Sequence, residues 1–270
     1  MTSLPQLNYR VQGAKHAPVL TFIPGIGNDL SFWQKHAEAL SATFRVITFD
    51  PWGHNLSPRP PENCSFNAIL EGVIQLWDHL GVLKSDVVGL GFGGSVSMAL
   101  GLNYPTRVNR IVACCCRPRQ PDNRHDFWRQ RRDIAKKEGL ENLGNITVER
   151  WLSDSFRQHN PEIERVLKDM IHRTTVEGYC AYVEAFIEMD FSSQLDQILQ
   201  PTLLLAAEHD HGGGPVEDMQ RMAQQMPHAK VEIIQGSGHI CNFEAPDQVS
   251  QHLNAFLNTA HQQVETEYGV

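Results

Sequence analysis

Six short apolar runs, parted by polar turns or by stretches of helical period, constrain this chain more than any other feature. They are Val19–Ile23, Phe44–Phe49, Asp86–Leu90, Val108–Cys116, Pro201–Ala206 and Val231–Ile234. Runs this short, bounded by Gly, Pro and Asp, read as strands buried in a sheet. Between them, Leu30–Leu40, Phe66–Leu80, the segment after Leu90 through Asn103, and Gln248–Thr259 carry apolar residues at helical spacing. Ser65 stands where the second of these helices needs an N-cap. Strand and helix in alternation predict an α/β fold with a mainly parallel sheet.

From Arg117 to about Gln194 the strand signals stop, and a polar helical stretch is anchored by Trp128, Trp151, Leu167, Met170, Ile171, Tyr179, Tyr182 and Phe186. The expected organisation is therefore a core made of residues 1–116 and 195–270, with a helical lid over 117–194. A chain of 270 residues, 41% hydrophobic, is long enough for one large core with an insertion. The net charge of −8, without a basic stripe, argues against nucleic acid as a partner. No 18-residue apolar run suggests a membrane span, and Met1–Pro5 lacks the features of a signal peptide. The cysteines, at 64, 114, 115, 116, 180 and 241, form neither a disulfide framework nor a C-x-x-C pair, so reduced thiols in a cytoplasm are expected. The expected partner is a small molecule, and a homodimer is left open.

The informative turn is Val88-Gly89-Leu90-Gly91-Phe92-Gly93-Gly94, which follows a strand and opens a helix. It has the context of a nucleophile elbow, G-x-S-x-G, with Gly91 at the serine position. A dinucleotide fingerprint fits poorly: the turn lies mid-chain, and no acidic residue ends a strand about 20 positions on. Four further segments agree with the elbow. Pro24-Gly25-Ile26-Gly27 follows an early strand. Asp50-Pro51-Trp52-Gly53-His54-Asn55-Leu56-Ser57 resembles a D-x-R-G-H-G-x-S loop. Ala207-Glu208-His209-Asp210 follows a late strand, and Gly238-His239 through Glu244-Ala245-Pro246 resembles a G-H-x-x-x-x-E-x-P segment.

On these residues the chain resembles the α/β-hydrolase fold superfamily from about Leu7 to Leu257, and within it the 3-oxoadipate enol-lactonases. The resemblance implies an eight-stranded sheet with the lid after strand 6. It implies Asp210 as catalytic acid, His239 as base, and the amides of Ile26 and Phe92 as oxyanion hole. Pro51-Trp52 departs from the usual loop, and Gly91 departs from serine. Glycine cannot form an acyl-enzyme, whereas a base, its orienting acid and the amides are retained. Three readings follow. One is a cofactor-independent hydrolase or lyase in which His239 activates a water, or the substrate, on a small carboxylate-bearing lactone, ester or keto compound. The second is a catalytically inactive protein that binds a small molecule. The third is an ordinary serine hydrolase with an engineered change at position 91.

Asp50 and His54 read as structural loop residues. His209-Asp210-His211 has no second cluster at ligand spacing, so no metal is expected. Arg117, Arg119, Arg124, Arg129, Arg131 and Arg132 crowd the start of the insertion beside His125, Phe127 and Trp128. Trp128, Arg129 and Arg132 are the candidates to hold a substrate carboxylate, since guanidinium groups bind carboxylates bidentately.

Overall fold

The computed structural model describes residues 4–267, with side chains as far as residue 258. The strands are β1 (Tyr9–Gln12), β2 (Val19–Ile23), β3 (Arg45–Phe49), β4 (Ser85–Leu90), β5 (Val108–Cys114), β6 (Thr202–Ala207) and β7 (Ala229–Ile234). They lie in the order β1-β3-β2-β4-β5-β6-β7, with only β1 antiparallel to its neighbour. Every residue of β4 and β6 is buried, as expected for central parallel strands covered on both faces.

The flanking helices of the core are α1 (Gln34–Leu40), α2 (Phe66–His79) and α3 (Phe92–Asn103). Ser65 caps α2, its side chain accepting from the Ala68 amide. Helices α4 (Asp122–Glu138), α5 (Glu141–Trp151), α6 (Asp154–His159), α7 (Pro161–His172) and α8 (Val176–Glu188), then a 3-10 turn at Ser192–Gln197, form the insertion. The chain closes through α9 (Val216–Ala223), α10 (Cys241–Glu244) and α11 (Pro246–Glu267).

Two expectations are corrected. The sheet has seven strands among the described residues rather than eight, and the insertion follows the fifth of them, β5, rather than the sixth. The segment ahead of β1 spends its polar groups on the loop after β3, not on a hairpin partner: Pro5 O accepts from the Trp52 indole and the Asn8 amide donates to Ser57 Oγ. The run through Cys116 also stops two residues early, because Cys115 turns the chain at a φ of +49°.

Candidate active site

The turn from β4 into α3 makes the floor of the site. Gly91 sits at its tip with φ +58° and ψ −122°, a backbone state that costs a side-chain-bearing residue strain. A Cβ on Gly89 would come 2.1 Å from the Gly93 carbonyl oxygen, and one on Gly93 would come 2.3 Å from that of Ile23. Strand, helix and the neighbouring β2 nearly touch here, which is why these positions hold glycine. At Gly91 itself there is room. A Cβ there would meet only the His239 ring, with Nε2 at 3.2 Å and Cε1 at 3.5 Å.

The loops after β6 and β7 bring Asp210 and His239 together over that floor. His239 Nδ1 lies 3.0 Å from Asp210 Oδ2. The buried carboxylate also accepts from three consecutive amides, Gly212 at 2.9 Å and Gly213 at 2.7 Å on Oδ1, and Gly214 at 2.8 Å on Oδ2. Burial opposes ionisation of Asp210, but His239 and these donors reverse that and hold its carboxyl well below the usual range. Burial likewise pushes His239 down, and the Asp210 charge and hydrogen bond, with Cys115, lift it to about 10. Sequence reasoning missed the Gly212-Gly213-Gly214 run. A Cβ on Gly213 would stand 2.2 Å from His239 Cε1, so only glycine leaves room for the imidazole there. Three consecutive glycines, one residue removed from an acid in a matched segment, were the available signal.

Cys115, Asp210 and His239 place ligand-type atoms within 4.8 Å of one another. The donor set does not fit a metal ion. Both Asp210 oxygens already accept two hydrogen bonds each, which uses the lone pairs a cation would need. The hydrogen bond with Cys241, then burial, also raise the Cys115 thiol well above its ordinary value, away from the thiolate a metal binds.

Two backbone donors face the same space. Phe92 is the first residue of α3, and its amide has no intrahelical acceptor. Ile26 lies in the Gly25–Asn28 turn after β2, where the Asn28 amide donates to Gly25 O and the Gly27 amide to His54 Nε2. Among the described residues no acceptor meets the Ile26 or Phe92 amide. Gly91, His239, Ile26 and Phe92 all line one cavity of about 100 Å³.

The insertion supplies the opposite wall. Phe92 stacks edge-on to Phe186 at 5.2 Å, Phe186 to Trp128 at 5.0 Å, and Trp128 to Phe127 at 5.4 Å, a ladder running from floor to outer rim. Around Phe127 stand the guanidinium groups of Arg150, Arg131 and Arg124, at 4.3, 5.4 and 5.7 Å from the ring centre. Arg131 is only 6% exposed, yet its partners are neutral, Tyr179 Oη at 3.3 Å and the Thr147 hydroxyl. Burial, then Arg124 and Arg131, push the Arg150 guanidinium down. The lining holds four arginines, counting Arg117, and no Asp or Glu. In a chain of net charge −8 this is a built cationic pocket.

A family model described as the alpha/beta hydrolase fold matches residues 18–246 of the chain. The chain belongs to that family. It is 28% identical to 3-oxoadipate enol-lactonase 2 of Acinetobacter baylyi, over 93% of this chain and 92% of that protein. Among solved structures it is similar to the enol-lactonase of Burkholderia xenovorans LB400, with a TM-score of 0.88, 27% identity and coverage of 93% and 96%. It is equally similar, at TM-score 0.88 and 27% identity over 94% of each chain, to a thermophilic esterase from Thermogutta terrifontis solved with malate bound.

In this α/β hydrolase the residues singled out from sequence divide cleanly. Asp210, His239, Gly91, Ile26, Phe92 and Trp128 are brought together. Arg129 and Arg132 are not. Arg129 is exposed and pairs with Asp126 at 3.1 Å; Arg132 is held by Asp133 at 2.8 Å and Glu184 at 2.5 Å. Both point along other faces of α4, and the cavity receives Arg124 and Arg131 of that helix, with Arg150 of α5. Asp50 and His54 lie in the loop after β3 and outside the cavity lining, and Asp50 accepts from the Leu30 and Leu56 amides and from Asn8.

Proposed function

We propose that this α/β hydrolase is an enzyme that hydrolyses, or cleaves as a lyase, a small carboxylate-bearing lactone, ester or keto compound without an acyl-enzyme. The observation that carries the reading is the aim of His239. Its Nδ1 is fixed by a fully hydrogen-bonded Asp210, and its Nε2 faces the place of the side chain that Gly91 lacks, 3.2 Å from that Cβ position. A serine stands there in the ordinary mechanism of this fold. In its absence the space takes the water, or the acidic C–H of the substrate.

Neutral His239 removes a proton from that water as its oxygen attacks the carbonyl carbon. The developing oxyanion is met by the Ile26 and Phe92 amides, each such donor typically contributing about 3 to 4 kcal/mol. Asp210 stabilises the imidazolium, which then protonates the departing oxygen. In the lyase branch His239 takes the proton from carbon, the same amides stabilise the enolate, and the enolate expels the oxygen leaving group on its β-carbon, which the imidazolium protonates. Arg131, Arg150 and Arg124 receive the substrate carboxylate, with the insertion acting as the lid. The names of the relatives support the substrate class, since two are enol-lactonases and an esterase relative was solved with malate, a small carboxylate.

The test is a comparison of the parent chain with His239→Ala on lactones, simple esters and β-keto acids. Turnover in the parent that falls at least about a hundredfold in the variant supports the enzyme. Ligand binding without turnover in either protein overturns it and favours a receptor.

A further inference from the structure

His54 lies outside the cavity lining and is completely buried. Both ring nitrogens are committed to backbone groups of different loops. Nδ1 is 3.0 Å from Trp52 O in its own loop, and Nε2 accepts from the Gly27 amide at 3.0 Å. A carbonyl oxygen only accepts and an amide only donates, so these partners fix the neutral Nδ1–H tautomer. The Gly27 amide follows the Ile26 amide by one residue along the turn. Within the Gly25–Asn28 turn, His54 holds Gly27 and the Gly25 carbonyl holds Asn28, which leaves the Ile26 N–H as the donor turned to the substrate.

The same imidazole is strapped to the insertion. The ring lies 5.2 Å from that of Tyr182 in α8, whose Oη accepts from the Trp52 amide, and the His54 backbone forms an isolated bridge with Thr174. Asp29, next to the turn, pairs with Arg173 at the end of α7. Gly53, beside His54, packs so closely on Gly178 of α8 that a Cβ on Gly53 would come 2.5 Å from the Gly178 Cα.

We propose that His54 is a positioning residue for the reaction: its unprotonated Nε2 holds the Gly27 peptide so that the Ile26 amide points at the developing oxyanion, and its ring ties that turn to the insertion. The inference rests on the proposed catalytic reading for its kinetic consequence, whereas the hydrogen bond itself is read without turnover.

Two variants and one spectrum test it. His54→Leu removes both bonds. His54→Gln keeps an acceptor for Gly27 and a donor for Trp52 O. For the hydrolysis of an anionic ester, kcat in His54→Leu is expected to fall about 10- to 100-fold, in the range of a mis-set oxyanion donor. KM should stay within about twofold, since ground-state contacts are untouched, and His54→Gln should recover most of kcat. A merely structural histidine predicts lowered stability with kcat per folded molecule unchanged, and that result overturns the proposal. A rise in KM at constant kcat overturns it too. In parallel, nitrogen-15 spectra of the unmodified protein at neutral pH should show His54 protonated on Nδ1 only, with a hydrogen-bond coupling between Nε2 and the Gly27 amide. The opposite tautomer, or no such coupling, defeats the idea even if both variants fail to fold. If the parent turns nothing over while the coupling is present, the catalytic reading fails and the positioning geometry stands.

Discussion

At the scale of the residue, the proposed chemistry turns on the side chain that Gly91 lacks. Gly91→Ser would place Cβ 3.2 Å from His239 Nε2 and bring its hydroxyl within reach of the base. The φ of +58° with ψ −122° costs a non-glycine residue about 1 to 3 kcal/mol, so a drop in stability should accompany the change. The expected outcome is ester hydrolysis through an acyl-enzyme together with covalent labelling of position 91 by a fluorophosphonate, neither of which a glycine can support. A variant that folds and takes no label would mean that the floor is not arranged as a nucleophile turn. The neighbouring Gly213→Ala makes the complementary case. Its methyl would fall 2.2 Å from His239 Cε1, and either the ring or the glycine run must move. His239-dependent turnover should fall about a hundredfold or more, since displacements near an ångström cost that much. Unchanged turnover would show that the imidazole does not need this seat. The pH response follows from the same pair. Asp210 lifts His239 to about 10, so the neutral base becomes more abundant as pH rises, and kcat/KM should still be climbing above pH 7. A plateau reached by pH 7 would contradict it.

At the scale of the element, helix α4 shows both what could be read and what could not. Its helical character and its crowding of arginines stand in the sequence, but a helix turns its residues by about 100° each, so neighbours in sequence face different ways. Arg124, Trp128, Arg131 and Ala135 are spaced by four, three and four, the stripe that meets the cavity and the core. Arg129 and Arg132 fall beside that stripe. The spacing was available, and so was Asp126 three residues ahead of Arg129; Glu184, which holds Arg132, was not, because pairing between α4 and α8 is a tertiary fact. Arg150 carried no local signal and is recruited by the packing of α5 beside α4. The six apolar runs became strands, whereas β1, four residues long with its middle two exposed, lacks the buried run that marks a central strand. Position along the sheet also explains the good legibility of the floor, since turns between buried strands and helices tolerate few residues. The division of α4 is tested by paired changes. Arg131→Met should raise KM for an anionic substrate about tenfold or more while leaving that of its neutral amide analogue unchanged, whereas Arg129→Gln should alter neither. Equal effects of the two changes would remove the carboxylate assignment.

At the scale of the whole molecule, the groups that shape the site also set the pH range in which the fold persists. His36 and His54 are buried and neutral, and burial, only partly opposed by hydrogen bonds to the backbone, pushes each down to about 4. In the unfolded chain a histidine titrates near 6.5, so between about 6.5 and 4 the unfolded state takes up protons that the folded state refuses. The stability these residues confer is therefore present above about pH 6.5 and is lost as pH falls toward 4, by an amount on the order of 3 kcal/mol for each. His239 has the opposite sign. Its raised value gives stability fully present below about 6.5 and lost as pH rises through about 10. Asp210, held low, contributes above its ordinary value and loses that only in stronger acid. Together they predict a dome with its crown near neutrality, a steep acid side from His36 and His54, and an alkaline side from His239. Urea unfolding at pH 7.0, 5.5 and 4.5 measures the acid side. The His36→Leu variant, which removes an imidazole outside the cavity lining, should shed about half of the loss between pH 7.0 and 4.5. Stability that stays level over that interval would mean that one or both imidazoles find a proton acceptor in the folded state, and for His54 such an acceptor would have to replace the Gly27 amide.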